Sequence, residues 1–314
     1  MTARKIDDMS AFRPGLVHAP VTPFRSDNAI DFDCFGRLLD FHVRHGADSL
    51  ALPMHAGEAV SLADEEKRKL LAFAIRHVAG RVPVIAHASD SGTAIAAAFA
   101  TYAEATGAAA VVAGTPYYWT PPAAMLVEHF VQIGAAVKIP YYVHNAPHDT
   151  AGTKVTTEIA LRIADRLENF AGLVDSGLDW QFMIELVSQA RRTHPEFQLV
   201  SGTEHMVSAG AIGADAMVST LAGVAPRTVR TLYDLCRSQK FVAARPAQED
   251  TAALRQAIRP GDIAGLKAAL AMMERDAGVP REPLAALAPD RQAGLAAALA
   301  ALSMLKDEPR GWAN

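Results

Sequence analysis

The sequence predicts a (β/α)8 barrel, and three observations support this fold class. Short apolar runs alternate with helical segments eight times within residues 15–219. The runs are apolar along their whole length, which is typical of parallel strands covered on both faces. Polar residues gather directly after several runs, and a barrel has its active site where its strands end.

The predicted elements follow one another in regular order. The strands are expected at residues 15–24, 48–53, 81–88, 108–113, 139–143, 171–174, 197–201 and 214–219. The helices between them are expected at residues 30–45, 61–78, 93–105, 123–136, 157–166, 179–192 and 205–211. Local signals support these boundaries, because Asp31 opens the first helix, Gly46 follows it, and Ser61 to Asp64 form a capping signature.

The pattern changes after Pro226. Residues 227–240, 247–258, 262–273 and 284–305 are rich in alanine and leucine, with helical spacing and no strand signal. We therefore expect two parts, a barrel with a short N-terminal leader over residues 1–225 and a helical extension over residues 226–314. The extension is expected to pack on the barrel.

Composition and charge narrow the classes of function. The chain has 314 residues, half of them hydrophobic, and a formal net charge of −4 without a long basic run. Nucleic acid and anionic membrane are therefore not expected as partners. The only cysteines, Cys34 and Cys236, exclude a disulfide framework and fit a reducing cytoplasm. The N-terminus lacks an apolar signal core, and runs such as residues 105–114 are too short to span a membrane.

Side chains that carry chemistry are expected around one pocket mouth. They stand at or after the predicted ends of strands two, three, five, six and seven, and they are His55, His87, His144, Asn145, Asp175, Glu204 and His205. The C-terminal ends of barrel strands share one face of the molecule. Histidine titrates near neutral pH and serves as acid, base or ligand.

Other histidines have plainer interpretations. His18 lies within strand one and is expected to be a buried core residue, whereas His42 and His45 are expected to face solvent from an outer helix. Several histidines with a carboxylate at strand ends also allow a divalent metal site. No tight local spacing supports such a site, so no cofactor is expected and the metal is kept as an alternative.

A series of short motifs carries a family resemblance. In chain order they are Val21-Thr22-Pro23-Phe24, Gly57-Glu58 with Ser61-Leu62 and Glu65-Glu66, Pro116-Tyr117-Tyr118, His129-Phe130, Asn145-x-Pro147, Ser201-Gly202, and Gly213 with Val218-Ser219. With these motifs, residues 12–300 resemble the dihydrodipicolinate synthase and N-acetylneuraminate lyase family of barrel aldolases. The resemblance implies a (β/α)8 fold and a small-molecule substrate.

The chemistry that the resemblance implies needs residues that this chain lacks. Family members hold a 2-oxo acid as a Schiff base on a lysine that ends strand six, and a tyrosine that ends strand five relays the proton. Val174 stands in place of that lysine, and His144 in place of that tyrosine. A valine has no nitrogen and cannot form an imine. Lys154 is the only conceivable substitute, since Lys138 lies at the wrong end of the barrel and most other lysines are expected on helix surfaces.

Two further departures argue against authentic synthase activity. The Gly-Thr-Thr-Gly-Glu loop of the family, which holds the keto acid's carboxylate, is replaced here by Met54-His55-Ala56-Gly57-Glu58. Asp149 stands where synthases place an arginine for the second substrate, and a carboxylate there would repel that substrate. Tyr118 matches the tyrosine that family members lend across a subunit boundary. The resemblance therefore implies a homo-oligomer, a tetramer built from dimers.

We therefore expect a lyase that works without a Schiff base on a small oxygenated carboxylic acid or sugar-derived acid. His144 is expected to move the proton, with His55 and Tyr118 assisting, and backbone N–H groups near Ala56 and Gly57 to hold an anionic oxygen. The expected substrate-binding residues are Ala56, Gly57, His87, Asn145, Val174, Asp175, Gly202, Glu204 and Val218. Retro-aldol cleavage, dehydration and hydrolysis remain open. The alternatives are an inactive relative that binds a ligand and a lyase assisted by a metal.

Overall fold

Eight parallel strands form a closed barrel in the computed structural model, which describes residues 12–148, 150 and 152–312. The strands pair in chain order, and β1 closes the barrel against β8. They are β1 Leu16–His18, β2 Ser49–Leu52, β3 Val84–His87, β4 Ala110–Gly114, β5 Tyr141–Asn145, β6 Phe170–Asp175, β7 Gln198–Ser201 and β8 Ala216–Ser219. The predicted (β/α)8 fold is confirmed. The predicted leader lies largely outside the described residues.

A ring of helices surrounds the strands. Its members are α1 Phe32–Arg44, α2 Asp64–Val78, α3 Thr93–Thr106, α4 Ala123–Ala135, α5 Thr157–Ala164, α6 Trp180–Thr193, α7 Met206–Ile212 and α8 Pro226–Arg237. Helix α8 closes the ring, because its Arg230 donates from Nη1 to Gly46 O at 3.2 Å and to Asp48 at 2.9 Å, in the turn between α1 and β2. The boundary predicted between residues 225 and 226 thus falls inside the eighth βα unit.

Beyond α8, the described part of the helical extension forms three α-helices. They are α9 Phe241–Ile258, α10 Asp262–Met272 and α11 Pro289–Ala301, and the name extension refers to these helices from here on. Helix α9 begins six residues earlier than the expected start at residue 247 and contains Pro246. Proline removes one backbone hydrogen bond but permits a helix to continue where packing supports it. Helix α11 begins at Pro289 instead of residue 284, because proline has no N–H to donate and suits the first turn of a helix.

Alternate residues of each strand fill the inside of the barrel. This inner cluster is almost entirely apolar and contains Val17, Ala51, Ile85, Val112, Tyr142, Val174, Val200 and Val218. The intervening residues, such as Leu16, Leu50 and Leu173, pack against the helices. Because the lower part of the barrel is a packed core, polar chemistry is confined to the C-terminal ends of the strands.

Two histidines form a buried pair between β1 and α1. His18 Nδ1 lies 3.0 Å from His42 Nδ1, and both side chains are buried. The prediction that His18 is a core residue is confirmed, and the prediction that His42 faces solvent is wrong. His42 turns inward because the imidazole of His18 offers it a hydrogen-bond partner that compensates for burial.

The His18–His42 pair is expected to make folding stability depend on pH. Burial, followed by nearby charged groups that include Arg275 and His45, lowers the pKa of His42 to about 3, and burial and His42 lower the pKa of His18. Unfolded histidine has a pKa of about 6.5, so below this value the unfolded chain binds more protons and stability falls. Each residue contributes at most about 1.4 kcal/mol per pH unit.

Urea unfolding of the wild type and of a His18→Leu/His42→Leu double variant tests this expectation. The stability difference between the two proteins should be constant above pH 7 and should shift in favour of the double variant as the pH falls from 6.5 to 4.5. All other titrating groups are common to both proteins. Two curves that remain parallel over this range would contradict the assignment.

Candidate active site

A cavity of about 520 Å3 opens at the C-terminal ends of the strands. Its floor comes from strand ends and the residues that follow them, among them Ala19, Met54, His144, Ser176, Gly202, Val218 and Thr220. Its roof comes from the extension and includes Arg255, Gln256, Arg259, Asp262, Ile263 and Leu266. The extension therefore covers the barrel mouth and supplies part of the site.

The structure brings six of the residues expected in the site to the cavity surface. They are His55, Ala56, His144, Gly202, His205 and Val218. Four others lie beside lining residues: the ring of His87 meets that of His144, Asn145 and Asp175 directly precede Ala146 and Ser176, and Glu204 accepts the N–H of Thr220. Val174, which is 6% exposed, is part of the apolar cluster inside the barrel and does not line the cavity.

His144 is fixed at the floor of the cavity. It is the fourth residue of β5, is 8% exposed, and its Nε2 lies 2.9 Å from Ser176 Oγ. Ser176 follows β6 directly, and its hydroxyl is also 3.4 Å from the carbonyl oxygen of Gly202. The imidazole and the hydroxyl therefore form a hydrogen-bonded pair that can move a proton at the floor of the cavity.

His87 supports His144 from the side. The two rings meet edge to face with their centroids 6.2 Å apart. Ser89 Oγ lies 2.8 Å from His87 Nε2 and accepts the N–H of Gly114 at 2.6 Å, which leaves its own hydrogen for His87. Burial, followed by the proximity of His144, lowers the pKa of His87 to about 3. His87 is thus a neutral neighbour of His144 at physiological pH.

Asn145 and Asp175 brace the loops beside the floor. Asn145 Nδ2 donates to Asp175 Oδ1 at 2.6 Å, and Asn145 Oδ1 accepts the N–H of Val155 at 3.0 Å. Asp175 Oδ2 accepts the N–H of Leu178 at 3.2 Å. Burial raises the pKa of Asp175 to about 6, although Asn145 and the backbone donors act in the opposite direction. The pair holds the ends of β5 and β6 together. Asn145 directly follows His144 and Asp175 directly precedes Ser176, so the pair also fixes the spacing of these two residues.

Glu204 connects the barrel to the roof. Its Oε1 accepts hydrogen bonds from Ser219 Oγ at 2.7 Å and from the N–H groups of Thr220 and Leu221 at 3.0 and 3.1 Å. Its Oε2 pairs with Arg255 of α9. Burial on its own raises the pKa of Glu204, but Arg255, Ser219 and the backbone donors hold it below its ordinary value. The carboxylate is buried and sets the position of Arg255.

The loop after β2 differs from expectation. Residues His55–Gly57 form a single helical turn in which Gly57 N donates to Met54 O at 2.9 Å. The Gly57 N–H therefore closes the turn, and the expectation that backbone N–H groups near Ala56 and Gly57 hold an anionic oxygen stays a prediction. The His55 side chain is half exposed, and its Nε2 lies 3.5 Å from Asp262 Oδ1 of α10. His55 thus belongs to the upper part of the cavity.

A buried ion pair fastens this loop to the extension. Glu58 Oε1 lies 2.7 Å from Lys267 Nζ of α10, and both side chains are excluded from solvent. Glu58 Oε2 accepts the N–H of Arg281 at 2.8 Å, and Lys267 donates to Val279 O at 3.1 Å. Burial lowers the pKa of Lys267, although Glu58 acts in the opposite direction. For Lys267, the expectation of a lysine on a helix surface is wrong.

Lysine side chains are absent from the lining of the 520 Å3 cavity within residues 12–148, 150 and 152–312. Lys154 lines a neighbouring open groove that shares His148 and Leu178 with the cavity. Asp149, the residue expected to repel the second substrate of a synthase, lies outside the described residues.

Tyr118 lies apart from the cavity. Its side chain is 81% exposed, its backbone has a φ of 74°, and its ring meets that of Trp119 edge to face with the centroids 4.9 Å apart. Met125 and Trp119 are exposed as well, so this segment presents an apolar surface. The assisting role expected for Tyr118 across a subunit boundary stays a prediction.

Metal-ligand clusters and membrane-spanning helices are both absent from the described part of the chain. No three histidine, cysteine or carboxylate side chains there come together as a set of metal ligands. No helix there is long and apolar enough to cross a membrane.

Several residues of the site were missed from the sequence. They are Ser176, His148, Arg255, Arg259 and Asp262, all of which line the cavity. Ser176 had a visible signal, because it directly follows Asp175 at the end of a predicted strand. The extension residues had none, since helical periodicity predicts that α9 and α10 pack on the barrel without showing which end they cover.

Comparison with known proteins gives a consistent result. Residues 13–302 match the model of the Dihydrodipicolinate synthetase family. The chain is 32% identical over 293 residues to an uncharacterised DapA-like lyase of Halobacterium salinarum, covering 93% of this chain and 94% of that protein. It is 34% identical over 224 residues to the 4-hydroxy-tetrahydrodipicolinate synthase of an Azoarcus species, covering 71% and 74%. The crystal structure of dihydrodipicolinate synthase from Aquifex aeolicus matches with a TM-score of 0.87 and 26% identity, covering 95% and 99%.

Proposed function

Since the chain belongs to the dihydrodipicolinate synthetase family, as its motifs predict, we propose that it is a lyase in which His144 moves the proton without a lysine imine. The substrate is a small oxygenated carboxylic or sugar-derived acid. The activity is distinct from that of an authentic dihydrodipicolinate synthase. The observation that carries this proposal is the pairing of His144 Nε2 with Ser176 Oγ at the cavity floor, 2.9 Å apart.

The surroundings of His144 support a role in proton transfer. Its ring is held by Ser176 on one side and approached by the neutral ring of His87 on the other. Positioning a general base within hydrogen-bond reach of its substrate contributes typically 10²–10⁴-fold to a rate. His144 faces a cavity whose size suits a small metabolite.

The packing of Val174 supports a mechanism without an imine. The residue that replaces the lysine in the resemblance, Val174, is packed against Val112, Tyr142 and Val200 inside the barrel. An apolar side chain that is already part of a packed cluster supplies neither a nucleophile nor a proton donor. The reacting groups of the proposed site are therefore His144 and Ser176, which line the cavity above the apolar cluster inside the barrel.

The proposed step is a proton transfer coupled to bond cleavage. His144 Nε2 accepts the proton of a substrate hydroxyl while the adjacent C–C bond breaks, and the electron pair of that bond moves to a carbonyl as an enolate. In a dehydration, the same nitrogen accepts a proton from the carbon next to a carboxylate. The imidazolium then returns this proton to the hydroxyl on the neighbouring carbon, which leaves as water as the C–O bond breaks and the C=C bond forms. Ser176 O–H is the group placed to stabilise the negative charge that develops.

We also propose a homo-oligomer, a tetramer built from dimers. The exposed Tyr118, Trp119 and Met125 support it, because large apolar side chains on a surface commonly mark contacts between chains.

A turnover screen tests the proposed function. The purified protein is incubated with a panel of 3- and 4-hydroxy acids and aldonic acids, and products are followed by proton NMR beside the His144→Gln variant. The expected result is cleavage or dehydration of at least one acid by the wild type and strong loss in the variant. Turnover that depends on added divalent metal, or binding of an acid without any turnover, would replace the proposal with one of its two alternatives.

A further inference from the structure

We propose that the roof of the cavity contains a binding site for an anionic group, formed by Arg255 and Arg259. The ligand is a carboxylate or a phosphate monoester. This inference rests on the proposed function, because it assumes that the anionic group is part of the lyase substrate. The substrate would then be a hydroxy acid with a second anionic group remote from the bond that breaks.

The charges around the cavity favour an anion. Two lining residues, Arg255 and Arg259, carry a positive charge. Four histidines, His55, His144, His148 and His205, add ring nitrogens that can donate hydrogen bonds to an anion. Asp262 is the one carboxylate among the described lining residues, and it faces His55 Nε2 at 3.5 Å. A cleft lined mainly by one sign of charge attracts ligands of the opposite sign.

Arg255 is held in place for a second partner. Its Nη2 pairs with the buried carboxylate of Glu204, which is itself fixed by Ser219 Oγ and two backbone N–H groups at 2.7 to 3.1 Å. A guanidinium has five N–H donors in a planar fork, so pairing through Nη2 leaves donors available. The Arg255 side chain is partly exposed and lines the cavity.

Arg259 supplies the charge that Glu204 does not offset. It lies four residues beyond Arg255, at the point where α9 ends and the turn Arg259–Gly261 begins. Residues four apart in a helix lie on the same face, so the two arginines face the same way. Arg259 lines the same cavity and makes no ion pair with any described carboxylate. Two guanidinium groups on one face suit the bidentate geometry of a carboxylate or a phosphate.

The position of the two arginines defines the shape of the ligand. His144 and Ser176 form the floor of the cavity, whereas Arg255 and Arg259 belong to its roof. One molecule within a volume of about 520 Å3 can therefore contact both. Binding energy from a remote group of this kind positions the reacting bond without taking part in its cleavage.

Titration calorimetry with three probes tests the site directly. The probes are succinate, succinamide, in which neutral amides replace both carboxylates, and inorganic phosphate, at low ionic strength. We expect the wild type to bind succinate or phosphate roughly tenfold or more tightly than succinamide, as charge-assisted hydrogen bonds predict. The dianion that binds more tightly identifies the second group as a carboxylate or a phosphate ester.

Matched variants assign the binding to the roof. Arg259→Gln should remove the preference for the dianion, whereas Arg245→Gln, an exposed arginine of the same helix that does not line the cavity, should keep it. Arg259 is the residue to change first, because Arg255→Gln would leave Glu204 buried without its cation. His144→Gln should retain the dianion preference while it loses turnover, so the two proposals fail separately. Absence of binding by both dianions, or unchanged binding by Arg259→Gln, would overturn the site.

Discussion

Replacing His144 with glutamine is expected to lower turnover by roughly two to four powers of ten. Glutamine keeps a polar side chain of similar length that can still contact Ser176, but it has no group that titrates. The loss should fall mainly on kcat, because the proton moves only in the reacting complex. The measurement is steady-state kinetics on the acid identified by the turnover screen.

The pH dependence separates catalysis from packing. The wild-type rate should depend on pH through the ionisation of the His144 imidazole, and the variant should lose that dependence. His194→Gln, which replaces a histidine at the end of α6 outside the cavity, is the control and should leave the profile unchanged. If His144→Gln kept near-normal turnover with the wild-type profile, the histidine would be a packing residue.

The second large effect is expected at the Glu58–Lys267 ion pair. Lys267→Met removes one partner and leaves the carboxylate of Glu58 buried, where its side chain has no contact with solvent. Breaking a buried pair from one side typically costs about 3–5 kcal/mol of stability. Urea unfolding at pH 7 should show a loss of this size.

A double variant distinguishes the buried charge from simple loss of packing. Lys267→Met combined with Glu58→Gln leaves no uncompensated charge and should recover part of the stability lost by Lys267→Met. A Lys267→Met protein as stable as the wild type would show that the two side chains do not form the pair. Because Glu58 directly follows the His55–Gly57 turn, the single variant should also weaken ligand binding at the cavity.

The barrel could be predicted because its signals are local. Each strand is a short apolar run, and caps such as Asp31, whose side chain accepts the N–H of Cys34, mark where a helix begins. The position of His144 at the floor followed from the same pattern, since residues at strand ends share one face of a barrel.

The errors arose where a distant partner decides the outcome. His42 lies on an outer helix and turns inward only because His18 pairs with it from β1. Lys267 follows a helical pattern that suits a surface lysine, and its burial depends on Glu58, 209 positions earlier in the printed sequence. No periodicity within a segment contains this information.

The roof of the cavity could not be predicted for the same reason. Arg255 is placed by Glu204, which is in turn placed by the turn after β8. The predicted helix at residues 247–258 correctly included Arg255, but its alanine-rich spacing indicates only that the helix packs on something. The end of the barrel that it covers is a property of the folded chain.

Reductive trapping tests the central claim most directly, that this family member works without a lysine imine. The protein is incubated with pyruvate and borohydride, and its intact mass is then measured beside an untreated sample. We expect no adduct, because Val174 stands at the position of the family's lysine and Lys154 lies in the neighbouring groove. A stoichiometric adduct of one reduced pyruvate, mapped to Lys154 or to any other lysine, would contradict the account.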